Sequence, residues 1–140
     1  MFIATFLFAA YLTTFEDPKP KAPTSFEGTW QLTSAIADGK ATPEDVVKKI
    51  RVVIKDGKHT VTFGDEVIAK AIPFTIDETV TPMATTDQLP DGTTIKGISK
   101  IDGDTLTSCA AKAGQDRPTA FESKPGSGHT LRVFTRVKTP

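Results

Sequence analysis

The sequence has no asparagine and a single cysteine among its 140 residues. Without asparagine there is no N-linked glycosylation site, and Cys109 alone cannot form an intramolecular disulfide. Net charge is also absent, because 17 Lys and Arg residues balance 17 Asp and Glu residues. A nucleic-acid-binding protein needs a basic surface, so this balance argues against nucleic acid as a partner. Basic residues late in the sequence are spread along a strand-like run, and we interpret them as a solvated face. They are Lys124, Arg132, Arg136 and Lys138.

The sequence also lacks an apolar run long enough to span a membrane as a helix, which takes about 20 residues. Residues 1–15 are almost wholly apolar and have the length of the core of an export signal. No Lys or Arg precedes them and no clear cleavage site follows, so a sticky N-terminal strand or helix is the alternative. An export signal predicts a periplasmic or extracellular protein, and the alternative predicts a cytoplasmic one.

Three prolines within six residues predict that residues 16–25 form an extended linker, because proline disrupts both helices and sheets. Residues 26–138 then form one domain of a size that supports a modest core. Its first strand is predicted over residues 29–36, with Trp30, Leu32, Ser34 and Ile36 on one face. Trp30 can plug one end of a small barrel, with Gly28 letting the backbone pass closely beneath it, and the alternative is an ordinary core tryptophan after a turn glycine.

After the first strand, Thr42 and Pro43 predict the start of one short helix ending near Lys49, with Thr42 as its N-cap. Two-residue turns then divide the chain, and Asp56-Gly57 predicts a type I′ hairpin. Pro73 predicts a kink or bulge in its strand. The strands that follow the helix are predicted over residues 50–55, 58–63, 66–76, 83–89, 93–101, 104–111 and 130–137.

These eight strands predict an all-β protein in which consecutive hairpins form an antiparallel up-and-down meander. Closure removes exposed sheet edges, so we expect an eight-stranded barrel with one short helix after the first strand. An open twisted sheet or a sandwich is the alternative. A barrel of this size is either filled by side chains or holds one small ligand.

The Gly28-Thr29-Trp30 sequence resembles the G-x-W motif of lipocalin-type barrels, in which an arginine of the last strand packs over the tryptophan. Arg136 matches that arginine. The chain is most similar to a family of short, uncharacterised lipocalin-like domains of planctomycete-type bacteria, over nearly all of residues 26–138. The motifs that carry this likeness are Gly28/Trp30, Ile76-Asp77 with Pro82, Gly97-Ile98 with Asp102-Gly103-Asp104 and Leu106, Arg117-Pro118 with Phe121, and Arg136. The resemblance implies the fold, barrel closure by Gly28, Trp30 and Arg136, and frequent export. It implies no known activity.

No residue set predicts catalysis, a metal site or a cofactor. We interpret Cys109 as a buried, inert thiol in the middle of a strand. Neither His59 nor His129 is spaced in the sequence so as to pair with it. We interpret both histidines as solvated. The acidic residues Asp77, Glu78, Asp87 and Asp91 fall in or beside turns, where aspartate is expected for backbone reasons. The sequence therefore predicts a protein that is not an enzyme.

The candidate ligand-binding residues are Ser34, Ser99, Ser108 and Arg117. Small residues on inward faces leave space in the barrel, and Ser99 stands where the similar family commonly has an aromatic residue. Arg117 lies in a long loop, where it either meets a ligand carboxylate or phosphate or ties the loop to the barrel. We expect a non-enzymatic domain that binds a small apolar or amphipathic ligand. The alternative is a structural or protein-interaction module with a filled barrel, for which no protein partner is indicated, and the least favoured is an enzyme using Arg117 with a carboxylate or Cys109.

Overall fold

The computed structural model describes residues 26–138, which form a closed eight-stranded antiparallel barrel. The predicted signal and linker, residues 1–25, lie outside the described residues. The elements are β1 (Gly28–Ala37), β2 (Lys40–Ala41), α1 (Glu44–Val47), β3 (Ile50–Lys55), β4 (Lys58–Phe63), β5 (Glu66–Asp77), β6 (Met83–Gln88), β7 (Thr94–Asp102), β8 (Thr105–Ala110) and β9 (Thr130–Arg136). The predicted fold class is confirmed, and only the two-residue strand β2 was not predicted.

Tight turns produce the meander, since each barrel strand pairs with the next one along the chain. Asp56 and Gly57 have φ values of 54° and 75°, as the predicted type I′ turn between β3 and β4 requires. The barrel closes because β9 pairs with β1, in a register that sets Arg136 opposite Trp30 and Phe134 opposite Leu32. The alternative of an open sheet is therefore wrong.

A β-bulge in β1 changes which residues face inward. The register with β9 shifts between Leu32 and Ser34, and beyond that point Ala35 becomes buried while Ser34 is exposed. The extra residue reverses the alternation, as bulges do. The predicted inward position of Ser34 is therefore wrong, although Trp30 and Leu32 are buried as expected.

The helix α1 is shorter than predicted and begins differently. Its N-cap is Pro43, and no side chain caps it, so the predicted Thr42 cap is wrong. Thr42 instead donates its backbone N–H to the Ala35 carbonyl, at 2.8 Å. Val47 anchors the helix, because it is buried in the same core cluster as Trp30 and Leu32. No helix in residues 26–138 has the length and apolar character needed to cross a membrane.

Strand β5 is irregular in its first half. Its register with β4 shifts twice between His59 and Thr62, and Ala71 has a φ of 49°. The irregularity lies just before Pro73, where the sequence predicted a kink or bulge. Pairing with β6 begins only at Phe74, so the first half of β5 pairs with β4 alone among the described strands.

The two ends of the barrel differ in their connections. One end, called here the tryptophan end, carries Trp30, Arg136 and the tight turns at residues 56–57, 78–82 and 103–104. The other, called the loop end, carries the longer connections at residues 38–49, 89–93 and 111–129, and the turn at residues 64–65. The hydrophobic core cluster includes Trp30, Leu106 and Phe134 towards the tryptophan end and extends to Val47 of α1.

Candidate functional site

Hydrogen bonds and a cation–π contact around Trp30 close the tryptophan end of the barrel. Trp30 is fully buried and donates its indole N–H to the Phe26 carbonyl, at 2.9 Å. The Arg136 guanidinium lies over the indole ring, 4.3 Å from the centroid, and donates to the Glu27 carbonyl at 2.8 Å. A Cβ at Gly28 would lie 3.1 Å from the guanidinium, so the missing side chain makes room for it. The packing implied by the resemblance is thus present.

A cavity of about 520 Å³ occupies the rest of the barrel interior. Phe26, Leu106 and Phe134 line it towards the tryptophan end, and Leu89 and Lys112 line it at the loop end. Most of its wall is apolar, as expected where inward side chains of a barrel alternate with outward ones. The volume lies within the range of natural small-molecule sites, which is roughly 300–1,000 Å³.

A row of polar side chains crosses one wall of this cavity. Ser99 on β7 pairs with Ser108 on β8, and Ser108 pairs with Arg132 on β9. Residues directly opposite on neighbouring strands share a face of the sheet, and all three line the cavity. The row lies one inward position from Phe134 on β9, so it is close to the filled tryptophan end.

A second polar group projects from the other side of the barrel. His59 Nε2 on β4 lies 3.0 Å from Asp87 Oδ2 on β6, and both side chains are about one-quarter exposed or less. The His59 ring also packs against the Phe74 ring, with centroids 5.5 Å apart. Both residues line the cavity. Polar groups therefore reach the lumen from β4 and β6 as well as from β7, β8 and β9.

The Arg132 side chain is partly buried and lines the cavity. Within residues 26–138 it has no hydrogen-bond acceptor, and its nearest countercharge is Asp87, which acts on it through space. Burial lowers the pKa of Arg132 from its ordinary value, and the Asp87 carboxylate opposes that change. Every fully enclosed side-chain nitrogen and oxygen of the described residues has a hydrogen-bond partner, so the unused Arg132 donors are open to the cavity.

The predicted ligand-binding residues separate into two groups. Ser99 and Ser108 line the cavity, whereas Ser34, which is exposed, and Arg117, which is partly buried, do not. The Arg117 guanidinium donates to the Thr85 carbonyl, to the Gly97 carbonyl at 2.9 Å and to Thr86 Oγ1 at 3.3 Å. Arg117 thus ties its loop to β6 and β7, which matches the tethering alternative for this residue.

Cys109 is fully buried, as expected, and donates its thiol to the Glu122 carbonyl at 3.3 Å. Burial raises the pKa of this thiol, and a raised pKa lowers nucleophilic reactivity. Neither His59 nor Arg117 contacts it among the described residues. No group of three or more His, Cys, Asp or Glu residues in residues 26–138 is arranged to hold a metal ion.

Arg132, Asp87 and His59 line the cavity although the sequence did not indicate them as residues of a site. The interpretation of the late basic residues as a solvated face is wrong for Arg132 and Arg136, which both point inward, and that of His59 as solvated is wrong too. The signal was present, because Arg132 and Arg136 share the period-two face of the apolar residue Phe134. Asp87 was missed because aspartate near a turn has an ordinary backbone role.

Comparisons of this chain with protein-family models, with curated proteins and with solved structures give no match. The barrel is therefore established by the structure alone, and the resemblance to the planctomycete-type lipocalin-like domains remains a prediction from the motifs.

Proposed function

We propose that residues 26–138 form a non-enzymatic domain that binds a small apolar or amphipathic molecule inside the barrel. The observation that carries this proposal is the apolar cavity of about 520 Å³. At roughly 30 Å³ for each water molecule, it has room for about 17 waters, or for a ligand with a similar number of non-hydrogen atoms. Displacing water from an apolar wall favours such a ligand by about 25 cal/mol for each Å² buried.

The size of the cavity favours a binding domain over a module with a filled barrel. Interiors of proteins are close-packed, and a large cavity destabilises the fold unless water or a ligand occupies it. The core cluster at the tryptophan end already supplies packing for a small barrel. The remaining volume is therefore best explained by a ligand.

Non-enzymatic binding is favoured because Cys109 and Arg117, the two groups named for an enzyme, do not contact one another within residues 26–138. Cys109 contacts a backbone carbonyl, and Arg117 is engaged with the carbonyls of β6 and β7 outside the cavity. An enzyme would need such groups to converge around one reacting atom. The cavity offers a mostly apolar wall with a small number of polar side chains, which is typical of small-molecule binding sites.

A neutral fluorescent reporter tests the proposal. N-phenyl-1-naphthylamine brightens in apolar surroundings, and we expect saturable binding to the folded protein and displacement by decan-1-ol. Protein unfolded in denaturant is the control for non-specific adsorption. Absence of saturable binding by any reporter of this size, together with a solid barrel interior in an experimental structure, would overturn the proposal.

We also propose that residues 1–15 direct export, to the periplasm or the extracellular space. Their apolar composition and the Pro-rich residues 16–25 that follow support this location. Intact mass of the protein expressed in a bacterial host tests it. We expect a mature chain that lacks the apolar segment, and an uncleaved chain recovered from the cytoplasm would contradict export.

A further inference from the structure

We propose that Arg132 is the head-group site of the cavity and that the ligand is an amphipathic monoanion whose carboxylate binds this guanidinium. The inference rests on the proposed function and specifies its ligand class. Arg132 carries a charge and several hydrogen-bond donors, and it lines a cavity whose wall is mostly apolar.

The guanidinium lacks acceptors. Arginine carries five N–H donors in a planar fork, and a buried charge is stable only when those donors are satisfied. Within the described chain no carbonyl, hydroxyl or carboxylate accepts a hydrogen bond from Arg132. A carboxylate has two oxygens at the spacing that matches this fork, so it satisfies two donors at once. No neutral head group satisfies them as completely.

Two hydroxyls add to the same site. Ser108 is the cross-strand neighbour of Arg132, and Ser99 is the next residue of the row. Each hydroxyl can donate one hydrogen bond to a carboxylate oxygen held by the guanidinium. Ser99 is nearly enclosed, with 5% of its surface exposed, so a hydrogen bond there is shielded from bulk water.

Asp87 limits the charge of the head group. Its Oδ2 lies 3.0 Å from His59 Nε2, and within residues 26–138 no hydrogen bond or ion pair joins either of its oxygens to Arg132. Its negative charge is nevertheless close enough to act on the guanidinium. A ligand carboxylate is attracted by Arg132 and repelled by Asp87, and a doubly charged phosphate monoester doubles both interactions. Its second charge has no further cation at this position and is costly to desolvate in a mostly apolar cavity. The cluster therefore selects a single negative charge.

The position of Arg132 orients the ligand. The guanidinium lies one inward position above Phe134, close to the filled tryptophan end. The apolar residues Leu89, Ile95 and Ile68 line the wall towards the loop end. The carboxylate therefore sits deep and the hydrocarbon tail extends towards the loop end, where the first half of β5 lacks a β6 partner.

The decisive experiment compares decanoate with decan-1-ol as competitors of N-phenyl-1-naphthylamine. A purely apolar cavity prefers the alcohol, because an unpaired carboxylate is expensive to desolvate. A charge-assisted pair with Arg132 reverses that order, and we expect decanoate to displace the reporter at a concentration about tenfold lower. Decyl phosphate should compete less well than decanoate. This comparison uses the unaltered protein and needs no variant to fold.

Three variants assign the effect to the cluster. Arg132→Met should remove the preference for decanoate and leave reporter binding intact. Asp87→Asn should tighten decanoate binding several-fold, since it removes repulsion and keeps an oxygen for His59. Arg51→Met makes the same change on the outer, exposed face, where Arg51 pairs with Gln31 at 2.9 Å, and should change nothing.

Each outcome has a separate meaning. Tighter binding of the alcohol, or an acid preference lost in Lys112→Met and kept in Arg132→Met, would overturn the head-group assignment and leave the apolar cavity as the binding site. No displacement by either competitor, with no reporter binding, would overturn the proposed function itself. If Asp87→Asn weakens decanoate binding, the cluster is an internal ion network only, and the inference is wrong.

Discussion

Arg136 and Arg132 lie on the same face of the same strand, four positions apart, yet their surroundings differ. Arg136 is held by the Glu27 carbonyl, by the Trp30 ring and by Asp104, whose Oδ1 lies 3.5 Å from Arg136 Nε. Arg132 faces a cavity and finds no hydrogen-bond acceptor in the described chain. Arg136 thus helps to close the tryptophan end, whereas the donors of Arg132 remain available to a molecule in the cavity.

The two arginines therefore have different roles in one small barrel: Arg136 stabilises the fold, and Arg132 is available to a ligand. A buried charge whose donors are satisfied by carbonyls and an aromatic face stabilises one arrangement of the fold. A buried charge without acceptors destabilises the empty protein and favours any ligand that supplies them. The stability of the empty protein should therefore depend strongly on the key side chains of the sealed half and only weakly on Arg132.

The largest expected effect is on the sealed half. Trp30→Ala removes a fully buried indole that contacts the Arg136 guanidinium, and Trp-to-Ala changes in cores cost about 3–5 kcal/mol. Denaturant unfolding followed by far-ultraviolet circular dichroism measures this, because the variant has no tryptophan fluorescence. Val80→Ala, at a residue 44% exposed, is the control and should lower stability by less than about 0.5 kcal/mol. A loss below about 1 kcal/mol in Trp30→Ala would show that Trp30 does not hold the barrel closed.

The paired arginine variants test the comparison directly. Arg136→Met loses a charge-assisted hydrogen bond and the contact with Trp30, so we expect a loss of about 2 kcal/mol in unfolding free energy. Arg132→Met removes a buried charge without acceptors and should change the stability of the empty protein by less than about 1 kcal/mol. The same denaturant curves measure both. Equal losses of unfolding free energy in the two variants would show that Arg132 stabilises the fold as much as Arg136 does.

The third prediction concerns the volume of the open half. Ser99→Phe places a ring in the cavity, where Ser99 is 5% exposed, and should weaken reporter binding by about tenfold by occupying space the ligand needs. Ser34→Phe introduces the same ring at an exposed position of β1 and should leave binding unchanged. A fluorescence titration measures both affinities. Unchanged binding in Ser99→Phe would place the reporter outside the barrel.

The fold was predictable because local signals agreed with one another. Asp56-Gly57 set a hairpin of known geometry, and the remaining turns spaced the strands so that only a meander fits them. The bulge in β1 was not predictable, since nothing in the alternation of Trp30, Leu32 and Ser34 marks an extra residue. That single residue moved Ser34 from the expected lumen to the surface.

Of the residues that line the cavity, the sequence predicted only small ones. Ser99 and Ser108 were expected inside, and both line the cavity. Arg132 was not, because a charged residue in a strand is more often solvated, and composition cannot show that a charge faces a lumen. The neighbourhood of Asp87 and Arg132 depends on how the strands stagger around the barrel, which follows from closure and not from spacing along the chain.

The smallest expected effect is a pH dependence at the tryptophan end. Lys138 Nζ lies 2.8 Å from Asp104 Oδ2, and this contact, helped by Arg136, lowers the pKa of the Asp104 carboxyl from its ordinary value. A lowered pKa in the folded state means that the unfolded chain takes up the proton first on acidification. The stabilisation is therefore complete above the unfolded pKa of about 3.9 and is lost as the pH falls through the lowered folded pKa.

Asp104→Asn tests this sign. Its thermal midpoint should lie slightly below that of the unaltered protein at neutral pH, and the two should converge as the pH falls through the acidic range. Asp116→Asn, at an exposed position of the loop 111–129, makes the same chemical change away from the seal and should follow the unaltered protein throughout. Arg136 keeps its hydrogen bond to the Glu27 carbonyl, which does not titrate, so the seal weakens without opening. Curves for Asp104→Asn that run parallel to the unaltered protein at every pH would remove Asp104 from the seal and leave Trp30, Arg136 and the Glu27 carbonyl to close the barrel.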